Sequence, residues 1–221
     1  MVDAAFAGKG GFALIDGQAG MGKTRLLTDI AEAARWRGST VVWSRRTDQH
    51  REPYAAITAP LGQVLRGLRR EQVLARLDAE FLPLAAQLIP GLDTGTDVAR
   101  PTDWASPDER WQYQEALTQV LLTLGAIEPV ALIVDDLQVA DAETLEFLRL
   151  AAPRLAETQV AVLLAYRTHE ARNRTGVWGL LTDLEQRHPV SRIHLGGLPP
   201  DAIAALARAR SHGPLADAVV D

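Results

Sequence analysis

Five short apolar runs alternate with longer amphipathic stretches along this chain. The runs are GFALID (11–16), STVVWS (39–44), PVALIVDD (129–136), QVAVLLAYR (159–167) and SRIHL (191–195). An apolar run of this length, bounded by turn residues, is typical of a buried strand and is far too short to span a bilayer. Because the runs are separated by helical patterns, they predict βαβ units and a parallel sheet.

Helical spacing and capping residues define the segments between the strands. A first helix that stops at Gly38 is predicted by Leu26, Leu27, Ile30, Ala31 and Ala34. The segment 53–88 is expected to be helical and to follow the second strand as an insertion. In SPDE (106–109), Ser106 is expected at the N-cap, Pro107 in the first turn and Glu109 as the end of a capping box. Asp141 is expected to cap the next helix.

The segment GQAGMGKT (17–24) lies between the first strand and the first helix and fits the pattern G-x-x-x-x-G-K-[ST]. Glycines there let the backbone N–H groups face a bound anion, and the helix N-terminus adds partial positive charge. Lys23 is expected to reach the β- and γ-phosphates, and the Thr24 hydroxyl to ligate Mg²⁺. The alternative is a chance glycine turn. The expected phosphate-binding residues are Gly17, Gln18, Ala19, Gly20, Met21, Gly22, Lys23, Thr24 and Arg25.

Two carboxylates end the third apolar run. Asp135 and Asp136 follow four apolar residues, and the carboxyl ends of parallel strands face the crevice where such sheets bind ligands. Asp135 is expected to hold Mg²⁺ through water, and Asp136 to act as the base for an attacking water. The alternative is that one aspartate only caps the following turn.

Arg167 ends the fourth apolar run and is a candidate sensor of a γ-phosphate, although a surface arginine after a strand is equally ordinary. Lys23, Asp136 and Arg167 thus form the candidate catalytic set. Gln138 could order a water, or it is a polar loop residue.

Composition narrows the function classes. The 221 residues are 47% hydrophobic and 23% charged, as in ordinary globular proteins. The absence of cysteine excludes disulfides, thiolate metal sites and thiol catalysis, and it permits a cytoplasmic location. No signal peptide or membrane-spanning run is recognised. The net charge of −5 argues against direct nucleic-acid binding.

Together these motifs resemble the signal-transduction ATPases with numerous domains. GQAGMGKTRLL, PYAAI, VALIVDDLQVADAETLEFLRLAAPRLA, VLLAYR and IHLGGLPPDAI occur in the order typical of that class, over about residues 10 to 210. The chain is most similar to the ATPase module of the large ATP-binding bacterial transcriptional regulators of LuxR type.

That resemblance implies an α/β P-loop NTPase fold of AAA-like type, a three-layer sandwich with a parallel sheet ordered 5-1-4-3-2. It implies a core over residues 1–195, with the helical insertion at about 53–105, and the start of a helical lid over 196–221. It also implies ATP or ADP with Mg²⁺, a sensor role for Arg167, other domains in a larger parent protein, and nucleotide-dependent self-association.

The chain departs from that class in three places. DDLQVAD (135–141) has Gln138 and Val139 where DDLHWAD is common, so any role of the usual His and Trp does not carry over. A GRE-containing segment before the first strand and a GNP motif in the lid are not recognised. The chain is therefore expected to be a fragment or a truncated member.

Three functions remain open from the sequence. The first is a regulatory switch that binds ATP or ADP and hydrolyses slowly. The second is a working ATPase or a small-molecule kinase. The third is an inactive interaction module with a vestigial site. The absence of an NKxD run favours adenine over guanine.

Overall fold

In a computed structural model, the chain is described at residues 10–44, 52–92 and 106–197, with single positions 199 and 202. Most of the expected lid, 196–221, and residues 93–105 of the expected insertion lie outside the described residues. The strands are β1 (Gly11–Gly17), β2 (Thr40–Ser44), β3 (Val130–Val134), β4 (Val160–Tyr166) and β5 (Val190–Leu195).

All five strands pair in parallel in the order β2-β3-β4-β1-β5. This order is the predicted 5-1-4-3-2, so the expected α/β fold is confirmed. Leu14, Leu164 and Val134 lie in one row across the three central strands. The carboxyl ends of β1, β4 and β3 therefore meet at one edge of the sheet, which is where parallel sheets bind ligands.

Helices connect the strands. Their bounds are α1 (Lys23–Trp36), α2 (Ala55–Val64), α3 (Gly67–Leu74), α4 (Leu82–Leu88), α5 (Pro107–Ile127), α6 (Ala142–Leu155), α7 (Thr168–Arg172) and α8 (Thr175–Arg187), with a 3₁₀ turn at Leu137–Val139. The capping box at Ser106 and Glu109 is confirmed, as is the Asp141 cap, which accepts from the Thr144 N–H. In the described residues, no helix is long and apolar enough to cross a membrane.

Alternate residues of each strand point to opposite faces of the sheet, which gives two apolar cores. On one face, α1 packs through Leu27, Ala31 and Ala34 against small and branched strand residues. The larger core on the other face is formed with α2, α5, α6 and α8. Helices on both faces give the predicted three-layer sandwich.

The segment 53–88, expected to be helical, contains three helices rather than one. Leu65 leaves helical geometry with ψ 71°, Arg66 is extended, and Gly67 has φ 54°, which glycine adopts easily. The side chains of Arg69 on α3 and Thr40 on β2 both contact the Glu128 carboxylate. This contact ties the inserted helices to the sheet.

Candidate functional site

The loop between β1 and α1 depends on glycine for two different reasons. Gly20 and Gly22 have φ of 80° and 90°, a left-handed backbone that side chains rarely adopt. Gly17 is restricted instead by space, because an added Cβ would lie 2.6 Å from the Leu195 carbonyl oxygen of β5. The turn and the strand before it therefore specify the glycines of the predicted phosphate loop.

Lys23, at the first position of α1, is 7% exposed and points back into this loop. Its Nζ donates to the carbonyl oxygens of Gly17 at 2.9 Å and Gln18 at 2.8 Å. Burial, and then the positive charge of Arg167, hold the pKa of Lys23 below its ordinary value, while Asp136 and Asp135 oppose that shift. A neighbouring anion would favour the ammonium form, so the site is prepared for a phosphate.

The Thr24 hydroxyl donates to Asp135 Oδ2 at 2.7 Å. This contact brings the predicted Mg²⁺ residues of the loop and of β3 together. A hydroxyl and a carboxylate are hard oxygen donors of the kind that Mg²⁺ prefers, and Mg²⁺ usually takes one or two protein ligands beside waters and phosphates. The pair therefore fits the ion. Among the described residues, no group of three or more His, Cys or acidic side chains is placed to hold a metal.

Asp136 lies between β3 and the 3₁₀ turn with φ 53°, a strained backbone that aspartate tolerates better than most residues. Its Oδ1 accepts from Gln138 Nε2 at 2.7 Å. The same oxygen lies 3.6 Å from Arg167 Nε. The carboxylate expected to act as a base is therefore held from two sides at this oxygen.

Arg167 follows β4 directly and lies between the phosphate loop and Asp136, as the strand order requires. Its Nη1 donates to Glu170 Oε1 at 2.7 Å. That hydrogen bond raises the pKa of Arg167 above its ordinary value, and the charge of Asp136 adds to the effect. The guanidinium is charged and already has an anionic partner within its own turn of chain.

A cavity of about 680 Å³ opens beside the loop and is lined by Gly17, Gln18, Ala19 and Met21 together with Arg167. Arg172, Arg192 and Glu170 also line it. A cavity of this size falls in the range of small-molecule sites. Arg25 is placed differently, since it pairs with Asp29 at 3.2 Å on the surface of α1 and its side chain is 78% exposed.

Sequence reasoning missed a carboxylate in this cavity. Asp16, 4% exposed, accepts from the Thr168 hydroxyl at 3.0 Å, and both of its oxygens lie 3.1 Å from His194 Nδ1. The only signal in the sequence was its place directly before the first glycine of the loop. Its partners are 152 and 178 positions away, so only the fold brings them together.

A family model described as the AAA ATPase domain matches residues 1–164. The chain belongs to the AAA ATPase domain family. This membership indicates a nucleotide-binding ATPase domain and agrees with the phosphate loop. One solved structure, itself titled an ATPase domain, is 14% identical to this AAA ATPase domain; the match covers 84% of this chain and 69% of that one, with a TM-score of 0.34. A comparison with curated proteins found no match.

Proposed function

We propose that this chain is a regulatory switch module that binds ATP or ADP with Mg²⁺ and hydrolyses ATP slowly, within a cytoplasmic bacterial transcriptional regulator. The observation that carries the proposal is the convergence of Lys23, the Thr24–Asp135 pair, Asp136 and Arg167 at one edge of the sheet.

Binding follows from the electrostatics of the loop. Phosphate oxygens are stronger acceptors for the Lys23 ammonium than the two neutral carbonyls that it contacts, because charge-assisted hydrogen bonds are the stronger ones. The N-terminal amides of α1 and the main chain of Gly17 to Gly22 add donors. Thr24 and Asp135 would hold Mg²⁺, which when bound neutralises charge on the β- and γ-phosphates.

Hydrolysis needs a base and a group that stabilises the transferred phosphoryl. Asp136 takes a proton from the attacking water, whose oxygen forms a bond to the γ-phosphorus as the bond to the β-γ bridging oxygen breaks, giving ADP and phosphate. Arg167 stabilises the negative charge on the γ-phosphoryl oxygens. It also reports whether that group is present.

Slow turnover is expected because the two catalytic groups have competing partners. Arg167 is hydrogen-bonded to Glu170, and Asp136 accepts from Gln138. An arginine supplied by another subunit can raise turnover by about 10³ to 10⁵ in related reactions. We therefore propose that self-association, or contact with other domains of the parent protein, controls hydrolysis.

A kinase is the second candidate because the cavity beside the loop also contains Arg172 and Arg192. A second phosphate-acceptor substrate would use such cations. The net charge of −5 argues against direct nucleic-acid binding by this chain in either case.

The test compares binding and turnover on the whole chain. Calorimetry gives the affinities for ATP and ADP with and without Mg²⁺, and a single-turnover assay gives the hydrolysis rate. Tight binding with turnover that rises on self-association supports the switch. Fast turnover by the monomer contradicts it, and phosphate transfer to an added metabolite supports the kinase. Folded protein that binds no nucleotide is an inactive module.

A further inference from the structure

Gln138 lies in the 3₁₀ turn that follows β3 and is 4% exposed, whereas its neighbour Val139 is 51% exposed. A buried amide must satisfy both a donor and an acceptor, because each unpaired polar group in the interior costs stability. Gln138 satisfies both within the candidate site, although the sequence suggested only a polar loop residue or one that orders a water.

The two ends of the side chain contact two different strand ends. Nε2 donates to Asp136 Oδ1 at 2.7 Å, and Oε1 accepts from the Arg167 N–H at 3.1 Å. A carboxylate only accepts and a backbone N–H only donates, so these partners allow one orientation of the amide. The main-chain oxygen of Gln138 accepts in addition from Arg174 Nη1, just before α8.

We propose that Gln138 is a positioning residue for hydrolysis: it holds the Asp136 carboxylate and the backbone at Arg167 in one fixed arrangement. The inference rests on the proposed function. Asp136 has a strained left-handed backbone, so a partner that orients its side chain matters more there than in a regular element. Small displacements of catalytic groups cost up to about a hundredfold in rate.

A positioning role differs measurably from a purely structural one. The phosphate loop, Lys23 and Thr24 make no contact with the Gln138 side chain among its described hydrogen bonds. Loss of the amide should therefore slow hydrolysis without weakening ADP binding. A residue that only supports the fold would lower both together.

The experiment compares Gln138→Met, which removes both contacts, with Gln138→Glu, which keeps an acceptor for Arg167 but turns a carboxylate toward Asp136. Gln119 offers the matched control, since its Nε2 donates to a carboxylate, Glu115 Oε1, at 2.9 Å on α5. Gln119→Met and Gln119→Glu receive the same assays. These are the single-turnover rate with Mg·ATP, the ADP affinity and the melting temperature.

We expect both Gln138 variants to hydrolyse ATP at least about tenfold more slowly than wild type, with ADP affinity within about twofold, and both Gln119 variants to match wild type. Wild-type rates in the Gln138 variants, or a parallel loss of ADP affinity, would overturn the inference while leaving the proposed function intact. Wild-type protein that neither binds nor hydrolyses ATP refutes the proposed function, and the inference with it.

Discussion

The Thr24 hydroxyl and the Asp135 carboxylate meet at 2.7 Å although 111 positions separate them in the chain. One residue belongs to the first turn of α1 and the other follows β3, a strand that is not adjacent to β1. The contact therefore depends on β4 lying between them with its register intact. It joins the loop expected to hold phosphate to the carboxylate expected to hold the metal.

Thr24→Val should abolish the gain in ATP affinity that Mg²⁺ gives, because it removes one of the two oxygen ligands. It also removes a hydrogen bond to Asp135, so stability should fall by about 1 kcal/mol. Thr24→Ser should retain both properties. Thr28→Val is the control on the same helix, since the Thr28 hydroxyl only donates to the Thr24 carbonyl. Calorimetry with and without Mg²⁺ decides, and an unchanged Mg²⁺ effect in Thr24→Val contradicts the assignment.

Lys23→Ala should weaken ATP binding by roughly 10- to 100-fold, the range for a lost hydrogen bond to a charged group. Its ammonium is buried in the loop, so no other side chain of the loop can replace it. Arg149→Ala removes a cation from the surface of α6 and should leave affinity unchanged. Equal affinities in Lys23→Ala and wild type would show that the phosphates bind elsewhere.

Asp136→Asn should bind ATP and ADP normally but lose hydrolysis, because the amide cannot take the proton of the attacking water. The isosteric change keeps the volume of the side chain beside Gln138. A single-turnover assay measures the rate, with binding checked on the same preparation. Hydrolysis at the wild-type rate would exclude Asp136 as the base.

Glu170→Gln should raise the affinity for ATP relative to ADP, because it frees the Arg167 guanidinium from its 2.7 Å ion pair. Arg167→Gln should lower the same ratio, since only ATP has the γ-phosphate. Glu146→Gln, which breaks a similar i,i+3 pair with Arg149 on α6, is the control. The ratio of the two dissociation constants is the measurement. A Glu170→Gln ratio equal to wild type would mean that Arg167 does not contact the γ-phosphate.

Glu128 should make stability depend on pH. Burial alone would raise its pKa, but hydrogen bonds from Arg69 and Thr40 outweigh burial and hold the pKa below the ordinary 4.5. Because the folded-state pKa is depressed, the stabilisation is full above about pH 4.5 and is lost as the pH falls through the folded-state pKa.

Glu128→Gln should therefore be less stable than wild type by about 1 kcal/mol at neutral pH, a modest value because Arg69 is partly exposed. The difference should vanish in acid. Urea unfolding at several pH values measures it, with the exposed Glu157→Gln as control. A difference that persists unchanged at low pH would exclude the ionised Glu128 as its source.

The order of motifs along the chain was enough to predict the parallel sheet, its strand order and the meeting of Lys23 with the Asp135–Asp136 pair. These follow from local patterns combined with a fixed topology. The division of the inserted segment was missed because it depends on the backbone at Arg66 and Gly67. The bridge made by Gln138 was missed because burial of a polar residue depends on contacts across the fold.

The most direct test of the switch is to denature the purified protein and identify the nucleotide that is released, with its ratio to protein. The account predicts ADP or ATP close to one per chain, and a strong reduction in the Lys23→Ala protein purified in the same way. Folded wild-type protein that releases no nucleotide, and takes up none when ATP and Mg²⁺ are added, would contradict it.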